Sequence, residues 1–380
     1  MLQGKVIDAD GHILEPADLW KDYLEPTYRD RAIRMEKDAQ GYEYLVIDGR
    51  PSVASRGIGP LGAGIGQPFQ EIFQPGAFGY FDGPQGAYDA HARLKLMDEE
   101  GIDISVIYPS IGLLWEMEVH DPALIAAYAR AYNNWIIDWC KADAKRLVPI
   151  AHIPLLNIDD GITEARRIAK LGMKGVFIYA TPASQIPYWD RRYDPLWATL
   201  QDLDLPVGLH VALNEKYVGH QWIEKSRSDL IEDDSMLYMM SIPFVADEQA
   251  AFASLFQGAV FDRFPRLKVI LLETGGGWIA HMLEHMEAKW RKIGYKNGLK
   301  HPPSEYFRRQ CWISFDPDET TIPYMAQKYG TDRFMWATDF PHWDASPAAL
   351  AETREAITSL PQSDQQNILG DNIARVLNLS

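Results

Sequence analysis

Four short stretches carry residue types able to hold a metal ion and move protons. Asp8-Ala9-Asp10-Gly11-His12 offers two carboxylates and an imidazole within five residues. Leu209-His210 ends one apolar run in an imidazole, while Glu273 and Asp339 end two others in carboxylates. His342 comes three residues after Asp339. Mixed imidazole and carboxylate donors suit zinc, manganese or iron. Three or four protein ligands leave a coordination position for water or substrate. A divalent ion so held lowers the pKa of bound water from ~15.7 towards ~7 and polarises a substrate oxygen.

These residues gain weight from the elements that would position them. Runs rich in Val, Ile, Leu and Phe predict strands at Lys5–Asp10, Asp103–Pro109, Leu147–Ile153, Gly175–Ala180, Pro206–Val211, Lys268–Glu273, Cys311–Phe315 and Phe334–Asp339. Near-continuous apolar runs are what strands buried on both faces require. Amphipathic stretches at 89–100, 121–144, 158–172, 192–203, 246–263, 277–292, 319–330 and 346–359 alternate with them, and 362–378 closes the chain. Eight strands each followed by a helix predict an α/β fold, a single (β/α)8 barrel of the TIM type. A doubly wound sheet would need a phosphate-cradling glycine turn after the first strand, where Asp-Ala-Asp-Gly-His stands instead. Chemistry in such a barrel sits at the C-terminal strand ends, so Asp10, His12, His210, Glu273 and Asp339 converge on one mouth. Period two puts Asp8, Asp10 and His12 on one face, with Asp8 a pleat deeper and structural.

The βα rhythm runs without a compositional break, so residues 1–380 read as one domain with insertions at 21–88 and 212–245. Tyr42–Ile47 predicts a small hairpin, and Gly57–Gly86, rich in Gly, Pro, Gln and Phe, a mobile loop over the mouth. The second insertion, with Trp222, Met236, Tyr238, Met239 and Met240, reads as a lid or a dimer surface.

The stretches VIDADGHILEPADLW, PVGLH, LLETGGGW, CWISFDPDE and MWATDFPHWD, with the closing NILGDNIARVLNL, resemble the amidohydrolase-related family. This is the branch that includes aminocarboxymuconate-semialdehyde and resorcylate decarboxylases. The resemblance spans nearly the whole chain and implies one divalent metal ion, zinc first, with manganese or iron as alternatives. By position it assigns Asp10 and His12 to the first-strand ligand pair, His210 to the fifth-strand ligand and Asp339 to the eighth. Asp10 stands where many members have His, and resorcylate-type members also use a carboxylate there. Glu273 stands where the decarboxylases carry a His.

That substitution sets the order of functional expectations. First comes a metal-dependent hydrolase, in which metal-activated water attacks an amide, ester, thioester or activated C–C bond of a small organic substrate. Asp339 would both ligate and accept a proton, with His210 beside it and Glu273 as second acid or base. The alternative role for Glu273 is to orient His210 or a loop amide. Second comes a non-oxidative decarboxylase of an aromatic or unsaturated acid. Third is a barrel that binds metal or ligand without turnover.

Placement yields the other candidates. His342 and His152 lie near predicted strand ends and could touch substrate, and Trp20 and Trp115 could line an apolar pocket. His281 and His285, four apart on an exterior helix, read as a packed or solvated pair, and His91 carries no role. Glu319 reads as the cap of the helix at 319–330. No Gly-x-Ser-x-Gly elbow supports Ser/His/Asp catalysis.

Composition limits the partners to a small molecule. The chain has 380 residues, 47% of them hydrophobic, and a net charge of −16. No dense Lys/Arg stripe could replace the counterions of a nucleic acid. No apolar run approaches the ~18 residues of a membrane span. Cys140 and Cys311 form no disulfide framework. A start without an apolar leader segment points to the cytoplasm. Homo-oligomerisation is expected, with the Met-rich second insertion as a surface.

Overall fold

The computed structural model describes residues 4–52, 54–212 and 236–379. The predicted strands form as β1 (Ile7–Ile13), β5 (Ile104–Pro109), β6 (Leu147–Pro149), β7 (Ala151–His152), β8 (Val176–Tyr179), β9 (Val207–His210), β10 (Val269–Leu272), β11 (Cys311–Phe315) and β12 (Phe334–Trp336). β6 and β7 divide the third predicted strand. A separate antiparallel sheet, β2 (Arg34–Lys37), β3 (Glu43–Ile47) and β4 (Arg50–Pro51), replaces the simple hairpin expected around Tyr42.

The parallel strands run in chain order through two sheets, β1-β5-β6 and β7-β8-β9-β10-β11-β12. The expected single closed barrel is therefore not one continuous ladder, and both seams have physical causes. At the first, the chain changes partners around Ile150. The Ile150 amide still reaches Ile107 O at 3.0 Å, and the Ala151 amide turns to Gly175 O at 3.1 Å. At the second, a side chain stands in for the ladder. The Asp8 carboxylate takes the Thr338 amide and hydroxyl, each at 3.0 Å, and the Ser105 hydroxyl at 2.9 Å. Two backbone bonds complete this seam, Asp339 N–H to Asp10 O at 2.9 Å and His12 N–H to Phe340 O at 2.6 Å.

A bulge between Asp8 and Gly11 shifts the register of β1 on β5. It reverses the parity of the residues beyond it. Asp8 therefore does not share a face with Asp10, as strict alternation predicted. Asp8 turns to Ser105 and Thr338, while Asp10 turns to His12 and His210. Gly11 is required at the bulge, because a Cβ there would lie 2.5 Å from Asp8 Oδ2 and 2.7 Å from Ser105 Oγ.

Alternation sorts the remaining strand residues. Ile104, Val106 and Tyr108 join Phe177, Ile270 and Met335 in one buried cluster, closed at one end by Ile373 and Val376 of the last helix. Ile107, Ile178 and Ile313 face the larger cluster shared with the helices. Local chemistry sets the helix starts. Asp89, Asp121 and Asn157 cap Ala90–Glu100, Pro122–Cys140 and Ile158–Lys170 by accepting amides of the first turn.

Gly57–Gly86 is docked rather than loose. Its helix Ile58–Ala63 is tied to the loop after β12 by Trp343 N–H to Leu61 O and Ile65 N–H to Pro341 O, both 3.2 Å. Phe69 stacks on Phe73 at 4.1 Å and meets Trp343 edge-on at 5.1 Å. Burial of Phe73 and the contacts among these rings offset the ordering entropy that composition alone suggested would win. In the second insertion, Met236–Ser241 is helical. Trp222 lies outside the described residues, as does most of the surface expected to pair subunits. Among the described residues no helix is long and apolar enough to cross a membrane.

Candidate metal centre and active site

The C-terminal strand ends bring together the residues singled out by type. Asp10, His12 and His210 form one group of converging donor atoms, and His12, Glu273, Asp339 and His342 form a second that shares His12. His12 Nε2 lies 3.4 Å from Asp10 Oδ1 and 3.3 Å from Asp339 Oδ1. His210 Nε2 lies 3.7 Å from Asp10 Oδ2 and 3.2 Å from Glu273 Oε2.

The imidazoles are oriented from behind. His12 Nδ1 is 2.8 Å from Pro109 O, and His210 Nδ1 is 2.7 Å from Val211 O. A carbonyl oxygen only accepts, so each Nδ1 carries a proton and each Nε2 is turned towards the cluster as the atom that can ligate an ion. Glu273 and Asp339 adopt left-handed backbone conformations, φ 57° and 52°. Such geometry is unfavourable for side chains other than glycine and is concentrated at functional sites. Here it turns the strand ends so that both carboxylates face the ring of donors.

Five buried polar atoms of this cluster make no hydrogen bond: Asp10 Oδ1, His12 Nε2, His210 Nε2, Glu273 Oε2 and Asp339 Oδ1. A buried polar group without a partner costs ~1–3 kcal/mol. A divalent cation satisfies oxygen and nitrogen lone pairs of this kind, and each of the two groups, joined through His12, offers donor atoms close enough together to fit one. The electrostatics agree. Burial, then the Asp344 and Asp10 carboxylates, holds Asp339 well above the usual carboxyl range. Burial, then Asp339, does the same to Glu273. At His210 burial opposes the charge, but Asp10 and Glu273 outweigh it and lift the imidazole to about 9. Burial and the neighbouring His342 and His210 push His12 well below its usual value. The raised carboxyls and His210 describe an excess of negative charge that a bound cation relieves.

Two cavities meet beside the cluster, at Glu273 and Asp344. One, of about 80 Å³, is walled by Ile58 and Leu61 of the first insertion, Leu113, Ala212, Phe244 and Trp343. The other, of about 550 Å³, is lined by Asp10, Glu273, Asp316, Asp318, Asp339, Asp344 and Glu352, with no Lys or Arg among its described lining residues. The field of so many carboxylates concentrates cations at the mouth.

His342 belongs to the cluster. Its Nδ1 lies 2.8 Å from Asp339 Oδ1, its Nε2 3.0 Å from Ser110 Oγ, and its ring 4.2 Å from that of His12. It also lines the apolar cavity. Three expected substrate contacts lie elsewhere. His152 is fully buried, with Nε2 2.8 Å from Glu116 Oε2 and its ring stacked 4.2 Å from that of Trp115. That carboxylate and that indole hold the pair in the core. Trp20 is likewise core, edge-on to Tyr128 at 5.3 Å. Glu319 caps a different helix from the one expected. Its carboxylate takes the Gly276 amide at 2.6 Å, just before Trp278–Ile293. Gly275, at φ 66°, lets the backbone wrap it.

Glu15 and Ser110 were missed. Glu15 is buried after β1 and accepts the amides of Ser110, Ile111 and Gly112 at 3.1, 2.8 and 2.9 Å. It thereby sets the loop after β5. Nothing in a single sequence marks this, because donors and acceptor are almost a hundred residues apart.

The amidohydrolase family model matches residues 88–379. The chain belongs to the amidohydrolase family. Gamma-resorcylate decarboxylase of Rhodococcus jostii is 25% identical over 305 residues, covering 76% of this chain and 87% of that protein. The structure of an amidohydrolase from Mycobacterium avium subsp. paratuberculosis matches at a TM-score of 0.79 with 21% identity, covering 99% of this chain and 100% of the other. A Polaromonas dihydroxybenzoic acid decarboxylase with bound manganese matches at 0.68 with 18% identity, covering 99% and 97%. These likenesses establish an amidohydrolase fold, and the decarboxylases among the relatives match the second functional expectation better than the first.

Proposed function

We propose that this amidohydrolase is a divalent-metal-dependent, non-oxidative decarboxylase of a small aromatic or unsaturated carboxylic acid, with Asp10, His12, His210 and Asp339 holding the ion. The observation that carries the reading is the placement of Glu273, whose carboxyl stands beside the donor cluster, 3.2 Å from His210 Nε2, and on the wall of the apolar cavity, where burial and the Asp339 carboxylate raise its pKa and favour the acid form. Decarboxylation needs an acid that still holds its proton near neutral pH, whereas hydrolysis needs a base. The bound ion supplies positive charge for the substrate carboxylate. The apolar wall formed by Ile58, Leu61 and Phe244 takes the substrate body and excludes water. Glu273 delivers its proton to the carbon bearing the carboxylate, the new C–H bond taking a π pair of the substrate. The C–C bonding pair then restores that π bond as CO2 departs, and solvent reprotonates Glu273. Manganese stands beside zinc as the ion, since a donor set of two imidazoles and two carboxylates accepts either.

Hydrolysis is the second reading, favoured by a glutamate where the resembling decarboxylases carry histidine. Turnover of 2,6-dihydroxybenzoate and related phenolic acids in D2O, and separately in 18O-labelled water, distinguishes the two. The proposal expects CO2 release and one deuterium on the carbon that lost it. Label from 18O-water in the product without CO2, or no turnover across the acids, overturns it.

A further inference from the structure

Ser110 contributes a neutral hydroxyl to the lining of the apolar cavity, among ionisable Glu273, His342 and Asp344. It is 5% exposed and rigidly held, because its amide and the next two are taken by Glu15. Its hydroxyl lies 3.0 Å from His342 Nε2, and the other nitrogen of that ring is 2.8 Å from Asp339 Oδ1. Either group of this pair can donate, but a hydroxyl oxygen carries two lone pairs, so whichever way the bond runs at least one remains. Among the described residues the Ser110 hydroxyl has no second partner to take it.

We infer that Ser110 is a specificity-determining residue, whose oxygen accepts a hydrogen bond from a hydroxyl or N–H on the substrate body. This rests on the proposed reading of Asp339 as an ion ligand. Ser110 stands one imidazole away from Asp339. A substrate whose carboxylate lies at the ion therefore presents a more distant ring position to Ser110, which sets the class as acids carrying a donor away from the carboxylate. A polar site left unpaired discriminates strongly against an analogue that lacks the donor.

The test uses the ion-loaded protein and two pairs of near-isosteric probes, 3- and 4-hydroxybenzoate against 3- and 4-methylbenzoate. Hydroxyls at these positions cannot chelate the ion together with the carboxylate. Titration calorimetry of the wild type is expected to favour the hydroxyl over the methyl by about tenfold in one of the pairs. In Ser110→Ala that ratio falls to about one, with bound metal unchanged. Ser110→Gly serves as the second variant should Ala fail to load metal. Equal affinities in the wild type, no binding of any probe, or a ratio that survives loss of the hydroxyl overturns the inference. Failure of the decarboxylase reading is seen separately, as wild-type protein that binds these probes with discrimination but releases no CO2 from any acid.

Discussion

Replacing Asp339 by asparagine separates the charge at this position from its shape. Asparagine tolerates the left-handed backbone at φ 52° and matches the shape of the side chain that lies 2.8 Å from His342 Nδ1. Only the negative charge is lost. In the ion-free protein that charge is unfavourable, since burial and the Asp344 and Asp10 carboxylates raise the carboxyl well above its ordinary value of 3.8. A group whose folded pKa lies above its unfolded one imposes no penalty in acid, where both states are protonated. Its penalty grows as pH rises from the unfolded value towards the folded one. Each unit of difference corresponds to ~1.4 kcal/mol. The side chain is 20% exposed, so solvent and relaxation soften the effect, and ~1–3 kcal/mol is expected at neutral pH. In a chain of this size that is a rise of roughly 1–4 °C in Tm. With metal present the order reverses, because an ion at a thousand times its Kd adds ~4 kcal/mol to the wild type that the variant forgoes. Scanning calorimetry in EDTA and in manganese, at pH 4 and pH 7.5, reads all four states. A variant less stable than the wild type in EDTA at pH 7.5 would refute the electrostatic reasoning.

The same geometry leads to three further outcomes. His210, lifted to about 9 in the ion-free cluster, is protonated at neutral pH and must lose that proton to ligate. Metal affinity should therefore weaken by about tenfold per unit as pH falls below 9, with proton release visible by calorimetry in buffers of different ionisation enthalpy; a flat profile from pH 6 to 9 contradicts it. Glu273→Gln keeps the ion and lowers turnover more than tenfold, the scale of lost proton transfer, and wild-type turnover in that variant would make Glu273 a bystander. His152→Ala leaves the buried Glu116 carboxylate without its imidazole and should cost ~3 kcal/mol in denaturant unfolding, with metal stoichiometry unchanged. Loss of metal in that variant would tie His152 to the site after all.

The strand ends were legible in the sequence because burial on both faces leaves an apolar run, and a carboxylate or imidazole closing such a run stands out. Asp10, His12, His210, Glu273 and Asp339 were found this way, and the structure brings all five together. Parity was not legible. The bulge at Asp8–Gly11 depends on Ser105 and Thr338, residues distant in the chain. The same holds for Glu319, which caps the helix before its own, and for Glu15, which fixes Ser110. Aromatic placement misled for a related reason. Trp20, Trp115 and His152 precede or end elements near the mouth, yet each finds a ring or carboxylate partner in the core. The docked first insertion escaped composition, since Phe69, Phe73 and Trp343 pack only once the strands are in place. Reaction type was read from Glu273 as a departure from a histidine, without the burial that raises its pKa.

Metal stoichiometry tests the central claim most directly. Protein stripped with chelator, reloaded with manganese or zinc and desalted is expected to hold one ion per chain by plasma mass spectrometry, while His210→Ala and Asp339→Ala, folded by circular dichroism, retain only a small fraction. A wild type that retains no ion, or variants that retain as much as the wild type, would contradict the account of this cluster as a metal centre.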